Sequence, residues 1–149
     1  CGLIPNLKRF LEESKCNLAI SMHSPFHDER LKLMPVEKSY PIKEVIHAVK
    51  QHDWHGQRRL SFEYIVFKDL NASKEHIKEI ARLLGSIRCR INLIRYHAVP
   101  NIPLKSPDMG TMTWFRDALN DKGIIATIRA SRGQDIDAAC GLLSTKGMA

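Results

Sequence analysis

Residues 60–96 read LSFEYIVFKDLNASKEHIKEIARLLGSIRCRINLIRY, and this stretch determines an architecture that the rest of the chain extends. Its two apolar runs, Leu60–Phe67 and Cys89–Tyr96, predict β-strands. Between them, Ser73 is a typical helix N-cap residue, and the periodicity of Lys74–Leu84 predicts a helix that ends at a glycine. This order predicts a βαβ unit, whose strands are parallel and whose crossover is right-handed.

The same alternation continues on both sides of this unit. Two further strands are predicted at Asn17–Met22 and Ile124–Ile128, and further helices at Leu7–Ser14, Pro41–Gln51, Met109–Asp121 and Asp135–Ala139. Parallel strands alternating with helices indicate an α/β fold. Four such strands with their helices make about half of a closed barrel of eight, and they leave two open sheet edges.

Composition favours a single cytoplasmic domain with a polyanionic partner. The chain has 149 residues, of which 44% are hydrophobic and 26% are charged, as in ordinary globular proteins. No apolar run approaches the ~20 residues of a membrane span. The formal net charge of +7 favours nucleic acid over acidic substrates. The chain begins without Met and without a signal peptide, so we expect it to be part of something longer.

The four cysteines stand at Cys1, Cys16, Cys89 and Cys140. Because none of them forms a CxxC pair, we expect reduced thiols, no disulfide and no structural zinc. Cys16 and Cys89 lie beside or within apolar strands, which predicts buried structural thiols. Cys140 has small neighbours, and Arg129 and Arg132 upstream of it favour the nucleophilic thiolate. It is therefore the candidate catalytic cysteine.

Polar side chains follow every predicted strand. The four ends read Ser21-Met22-His23-Ser24, Lys68-Asp69-Leu70-Asn71, Arg95-Tyr96-His97 and Arg129-Ala130-Ser131-Arg132-Gly133. The carboxyl ends of parallel strands meet at one edge of the sheet, which is where such folds place their chemistry. A cationic rim of this kind suits an anionic or strongly polar ligand. The alternative interpretation is that these loops are polar only because they meet water.

Five segments together resemble the RlmN family of radical S-adenosylmethionine methyltransferases. They read SMHSP at residues 21–25, LMPV at 33–36, FEY at 62–64, NLI at 92–94 and SRGQDIDAACG at 131–141. The resemblance runs over nearly the whole chain, and its last motif is long and specific. It implies methylation of adenine C2 in large-subunit ribosomal RNA and, in some members, transfer RNA. The related Cfr family, which methylates adenine C8, remains an alternative.

The resemblance also implies roles for individual residues. Cys140 matches the cysteine that first accepts a methyl group from S-adenosylmethionine. A second S-adenosylmethionine then gives a 5′-deoxyadenosyl radical, which removes hydrogen from that methyl group, and the resulting carbon radical adds to adenine. Ser21, Met22 and His23 match a Ser-Leu-His segment that contacts S-adenosylmethionine. His97 stands where many members have Asn, and cofactor contact is carried over to it as well.

One family feature is missing from this sequence. The family holds its 4Fe-4S cluster with CxxxCxxC, and no such spacing occurs among these cysteines, so no metal ligand is predicted. Residues 1–149 therefore correspond to the second half of a partial TIM-like radical-SAM β/α barrel. The cluster half and an N-terminal RNA-binding domain would lie outside the chain, which alone should be inactive. The implied partners are ribosomal and transfer RNA and a reductant protein such as flavodoxin, with no membrane.

Two other functions fit the same sequence. A basic RNA-binding module without catalysis would explain the charge and the arginine-rich strand ends, and its affinity should fall steeply with salt. A scaffold that self-associates through its open sheet edges is the other alternative.

Overall fold

The computed structural model describes residues 3–52, 54, 59–99 and 101–129. Within them a four-stranded sheet has the order β1-β2-β3-β4, and every neighbouring pair is parallel. The strands are β1 (Leu18–Ser21), β2 (Leu60–Val66), β3 (Cys89–Arg95) and β4 (Ile125–Ile128). The predicted parallel α/β fold is confirmed. The predicted helix Asp135–Ala139 and the candidate nucleophile Cys140 lie outside the described residues.

Helices connect these strands, with bounds α1 (Ile4–Glu13), α2 (His27–Leu33), α3 (Ile42–Lys50), α4 (Lys74–Leu84) and α5 (Met109–Asp121). The N-caps of α4 and α5 are side chains: Ser73 accepts the His76 N–H at 3.5 Å, and Asp108 accepts the Thr111 N–H at 2.8 Å. The sequence did not predict helix α2 or the 3-10 turn at Pro35–Lys38. Both are short and rich in charge, so hydrophobic periodicity cannot reveal them.

The two faces of the sheet differ in character. Alternate residues of β2 are buried, and this face packs against the helices, with the rings of Tyr64 and Phe115 centred 5.6 Å apart. The opposite face, which we call the open face, carries half-buried or exposed side chains. The strand register aligns one polar residue from each strand in a row across it: Ser21, Glu63, Asn92 and Thr127.

The two described cysteines differ in burial. Cys89 is half-buried in β3, and burial raises the pKa of its thiol to about 11, as expected for an inert structural cysteine. Cys16 is exposed, so the prediction of a buried thiol there is wrong. The first strand begins only at Leu18, and Cys16 lies in the polar turn that precedes it.

No helix within the described ranges has the length and apolar content needed to cross a membrane.

The core on the helix side of the sheet should dominate stability. Phe62→Ala removes a ring that is 0% exposed, and we expect a loss of about 3–5 kcal/mol in the free energy of unfolding. The matched control is Ile125→Ala on the open face, where the side chain is 56% exposed and the loss should stay below about 1 kcal/mol. Urea denaturation of both variants measures the difference, and equal losses would contradict this assignment of the faces.

Candidate functional site

The carboxyl end of β1 continues into a tight turn. The Met22 N–H donates to the Glu63 carbonyl at 2.9 Å and so extends the ladder with β2. His23 then takes the left-handed conformation, with φ of 58°. In this region a non-glycine residue costs of order 1 kcal/mol or more, so the surrounding structure must hold it there. The Ser24 N–H donates back to the Met22 carbonyl at 2.8 Å and closes the turn.

A buried asparagine fixes this turn to the end of β2. The Asn71 amide donates to the carbonyls of His23 at 2.7 Å and Ile65 at 2.8 Å. Its Oδ1 accepts the Phe67 N–H at 2.9 Å. The Tyr64 hydroxyl in turn donates to the Asn71 carbonyl at 2.6 Å. Asn71 therefore joins the two strand ends and uses all of its amide hydrogen-bonding groups to do so.

The imidazole of His23 is fixed in one protonation state. Its Nδ1 lies 3.0 Å from the backbone N–H of Ile65, which can only donate, so Nδ1 is the acceptor and Nε2 carries the proton. Burial, with a contribution from the nearby Arg30 guanidinium, lowers the ring's pKa to about 4. His23 is therefore neutral at pH 7.

Two N–H groups of His23 are available to a ligand. Neither Nε2–H nor the backbone N–H of His23 has a hydrogen-bond partner among the described residues. The neutral ring offers a donor without a charge, which suits a hydrogen-bond acceptor such as a nucleoside ring nitrogen or a ribose oxygen.

Beneath the turn lies a fully buried arginine. The Arg30 guanidinium donates to the Met22 carbonyl from Nε at 2.9 Å and to the Ser21 carbonyl from Nη2 at 3.0 Å. Its Nη1 forms an ion pair with the buried Glu37 carboxylate. The same carboxylate oxygen, Oε2, also accepts the Ile42 N–H at 2.9 Å, at the start of α3.

The polar row of the open face is bonded internally. The Asn92 amide donates to Glu63 Oε1 at 2.7 Å, and the Thr127 hydroxyl donates to Asn92 Oδ1 at 3.2 Å. The other carboxylate oxygen, Oε2, is buried, has no hydrogen-bond partner among the residues that the structure describes, and lies 3.9 Å from the Arg129 guanidinium. Ser21 lies level with Glu63 in the register. Ser21, the member of the row on β1, lies two residues before His23.

The structure brings part of the predicted site together. Ser21, Met22 and His23 form one continuous edge at the end of β1, although the Met22 side chain is 0% exposed, so only its backbone can meet a ligand. His97 is half-buried and follows β3. Since β2 separates β1 from β3, the two histidines come from strands roughly 10 Å apart.

The predicted cationic rim is only partly present. Arg95 pairs in register with the buried Val66, and its Nε donates to the Pro107 carbonyl at 2.8 Å. It therefore holds the loop after β3 in place. Arg129 stays on the open face, with a side chain that is 68% exposed.

The sequence predicts no role for Arg30, Glu37, Asn71 or Glu63. Arg30 and Glu37 stand in charged segments that resemble solvated helix surface, and nothing local reveals their burial. Asn71 appears in the sequence only as part of a polar strand end. A signal existed for Glu63, since it alternates with apolar residues in β2 and so had to share a face with Ser61.

Comparison with known proteins bears on this site. No protein-family model matches the sequence. The chain is 60% identical over 144 residues to "Probable dual-specificity RNA methyltransferase RlmN" of Parabacteroides distasonis, covering 97% of this chain and 42% of that protein. The predicted resemblance to RlmN proteins is confirmed. The chain thus spans about two fifths of the length of the curated relatives that it matches.

Two solved structures share the fold of this chain. A radical SAM methyltransferase from Sphaerobacter thermophilus superposes with a TM-score of 0.88 at 39% identity, over 95% of this chain and 42% of that one. A domain of pyruvate-formate lyase-activating enzyme from Bacteroides vulgatus gives 0.66 at 17% identity, over 87% and 76%, and supports the fold alone. The predicted partial radical-SAM barrel fold is confirmed.

The depressed pKa of His23 predicts a pH dependence of stability. The unfolded chain binds a proton below its ordinary pKa of 6.5, whereas the folded ring binds one only near pH 4. Stability from this residue is therefore complete above pH 6.5 and is progressively lost as pH falls to about 4, by on the order of 3 kcal/mol. In His23→Asn that loss should be absent. Urea denaturation from pH 7 to 4 measures it, and parallel profiles for variant and wild type would refute the assignment.

Proposed function

We propose that this chain is the part of a radical S-adenosylmethionine RNA methyltransferase that carries the methyl-accepting cysteine, Cys140. The proposed product is adenine methylated at C2 in large-subunit ribosomal RNA and in transfer RNA. The observation that carries the proposal is the 60% identity to an RlmN protein over 97% of the chain. It is also supported by the end of β1, residues 21–23, where the ring and backbone N–H groups of His23 can donate hydrogen bonds to a ligand.

The edge at the end of β1 fits the adenosine part of S-adenosylmethionine. Its carbonyls point into the protein toward Arg30, and its N–H donors at His23 have no protein partner among the described residues. Purine nitrogens and ribose oxygens are acceptors of matching polarity. His23 would donate to such an atom, Ser21 would offer its hydroxyl, and the Met22 backbone would line the site. His97 would approach the same ligand from the end of β3.

The chain's described residues do not fit a 4Fe-4S cluster. They contain no group of three His, Cys, Asp or Glu side chains that could hold a metal ion. We propose that the cluster ligands and an N-terminal RNA-binding domain belong to a longer protein, since the chain matches only 42% of the RlmN relative's length. In that protein the cluster would supply a reducing electron, and a protein such as flavodoxin would deliver it.

Cys140 would perform the first transfer. Its thiolate attacks the methyl carbon of S-adenosylmethionine, the new S–C bond forms, and the bond to the sulfonium breaks with its electron pair left on the departing sulfur. Only a thiolate is nucleophilic enough. Arg129 at the end of β4 is the described cation closest to Cys140 in sequence, and a cation beside a cysteine would favour its ionisation. Cys89 could not substitute, because burial raises the pKa of its thiol to about 11.

Substitution of the cysteines tests the carrier role in the full-length protein. Cys140→Ser should reduce RNA methylation at least ~10³-fold, since removal of a covalent nucleophile eliminates its pathway. Cys16→Ser, at an exposed site, is the matched control and should retain activity. Mass spectrometry should find the methyl group on Cys140 and methyladenine in digested RNA. Methylation that survives Cys140→Ser rejects the role, and a C8 product identifies the Cfr-like alternative.

Two substitutions of His23 test the edge formed by Ser21, Met22 and His23, which we call the ligand edge. Asn places an acceptor near the position of Nδ1 and removes the outer donor, whereas Gln keeps an N–H donor near Nε2. We expect His23→Asn to weaken S-adenosylmethionine binding roughly tenfold and His23→Gln to weaken it less, since one neutral hydrogen bond contributes about 1 kcal/mol. Calorimetric titration measures both. Equal affinity of His23→Asn and wild type would remove His23 from the site.

A non-catalytic RNA-binding module is the second candidate, favoured by the net charge of +7. It predicts that RNA affinity falls steeply with salt and that no methyl group is transferred under reducing conditions.

A further inference from the structure

Arg30 and Glu37 form an ion pair where burial makes charge expensive. The side chains are 0% and 1% exposed. Moving two charges out of water costs several kcal/mol per ion, so apolar replacements of similar volume are often neutral or stabilising. Stability alone therefore does not explain this pair. The pair Arg82–Glu79 on α4, whose side chains are 60% and 19% exposed, carries much less of this cost.

The arginine of this pair holds the edge formed by Ser21, Met22 and His23. Arg30 binds the carbonyls of Ser21 and Met22, at 3.0 and 2.9 Å. In a trans peptide the N–H points opposite to the preceding carbonyl, so fixing the Met22 carbonyl directs the His23 N–H away from Arg30. Glu37 fixes Arg30 in turn and is itself held by the Ile42 N–H at 2.9 Å.

The same contacts tie the edge to three other elements. Arg30 belongs to α2, Glu37 to the 3-10 turn, and Ile42 begins α3. His27 at the start of α2 contributes a fourth group, with its Nδ1 3.0 Å from Glu37 Oε1. The planar guanidinium can meet two carbonyls and a carboxylate at once, which the single ammonium of lysine cannot reproduce in the same geometry.

We propose that Arg30 and Glu37 are positioning residues for S-adenosylmethionine binding, which orient the Ser21–His23 edge and the N–H donors of His23 toward the ligand. The identity of the ligand rests on the function proposed above, whereas the orientation of the edge does not. Neither side chain touches the ligand, because both are buried beneath the turn.

The test is a double variant, Arg30→Met with Glu37→Leu, in the full-length protein. We expect a lower midpoint of urea unfolding, because the Ser21 carbonyl and the Ile42 N–H lose their side-chain partners. At urea-free conditions where the variant is folded, its Kd for S-adenosylmethionine should rise roughly tenfold or more. The matched control applies the same two changes to the surface pair, as Arg82→Met with Glu79→Leu, and should leave Kd unchanged. A wild-type Kd in the buried double variant would overturn the proposal.

A second measurement needs no ligand. In the wild type the His23 ring titrates near pH 4 and is held by the Ile65 N–H. In the double variant the positive charge of Arg30 is gone and the turn is released, so NMR titration should show the His23 pKa raised toward 6.5. An unchanged pKa would show that the edge keeps its position without the pair. If wild-type protein fails to bind S-adenosylmethionine, the proposed function falls, and this titration still decides the positioning role.

Arg30→Lys covers the case in which the double variant does not fold. It keeps the buried charge and its pairing with Glu37 but loses the simultaneous contacts to two carbonyls. We expect a folded protein with a raised Kd and a raised His23 pKa. Wild-type values of both quantities in Arg30→Lys would reject the proposal.

Discussion

The parallel pairing of the strands is the constraint on which the rest of this structure depends. Parallel neighbours need crossovers, and right-handed crossovers place the helices on a single face of the sheet. That face buries Phe62, Tyr64 and Leu93, while the other face keeps a row of bonded polar groups. The same pairing brings every carboxyl strand end to one edge. The strand topology alone therefore determines that a functional site would lie at that edge.

Two buried polar residues fix the backbone conformation of this edge at Ser21, Met22 and His23. Asn71 holds the His23 carbonyl from the side of β2, and Arg30 holds the Ser21 and Met22 carbonyls from below. Together they keep a left-handed histidine in place, which would otherwise relax to a commoner conformation. The edge consequently turns its carbonyls inward and leaves N–H groups for a ligand. This polarity is the physical link between the fold and the nucleoside recognition that we propose.

The surroundings of each cysteine set the pKa of its thiol and therefore its reactivity. The Cys89 thiol is held in its protonated form by burial, with a pKa of about 11, and packs beside the core. A methyl-accepting cysteine needs the opposite environment, with positive charge and access to a ligand. Arg129, exposed where β4 ends, begins the segment of sequence that leads to Cys140. The carrier role assigned to Cys140 rests on that segment's likeness to RlmN proteins.

The sequence by itself determined the elements and their order. Apolar runs and the cap at Ser73 predicted the strands and α4 closely, and hydrophobic periodicity predicted α5, because these signals are local. It could not predict α2, the exposure of Cys16 or the burial of Arg30 and Glu37. A charged residue in a short helix has the same local pattern whether it faces water or a backbone carbonyl. Only tertiary packing, which brings α2 beneath the end of β1, decided that Arg30 would be buried and that His23 would be a neutral donor.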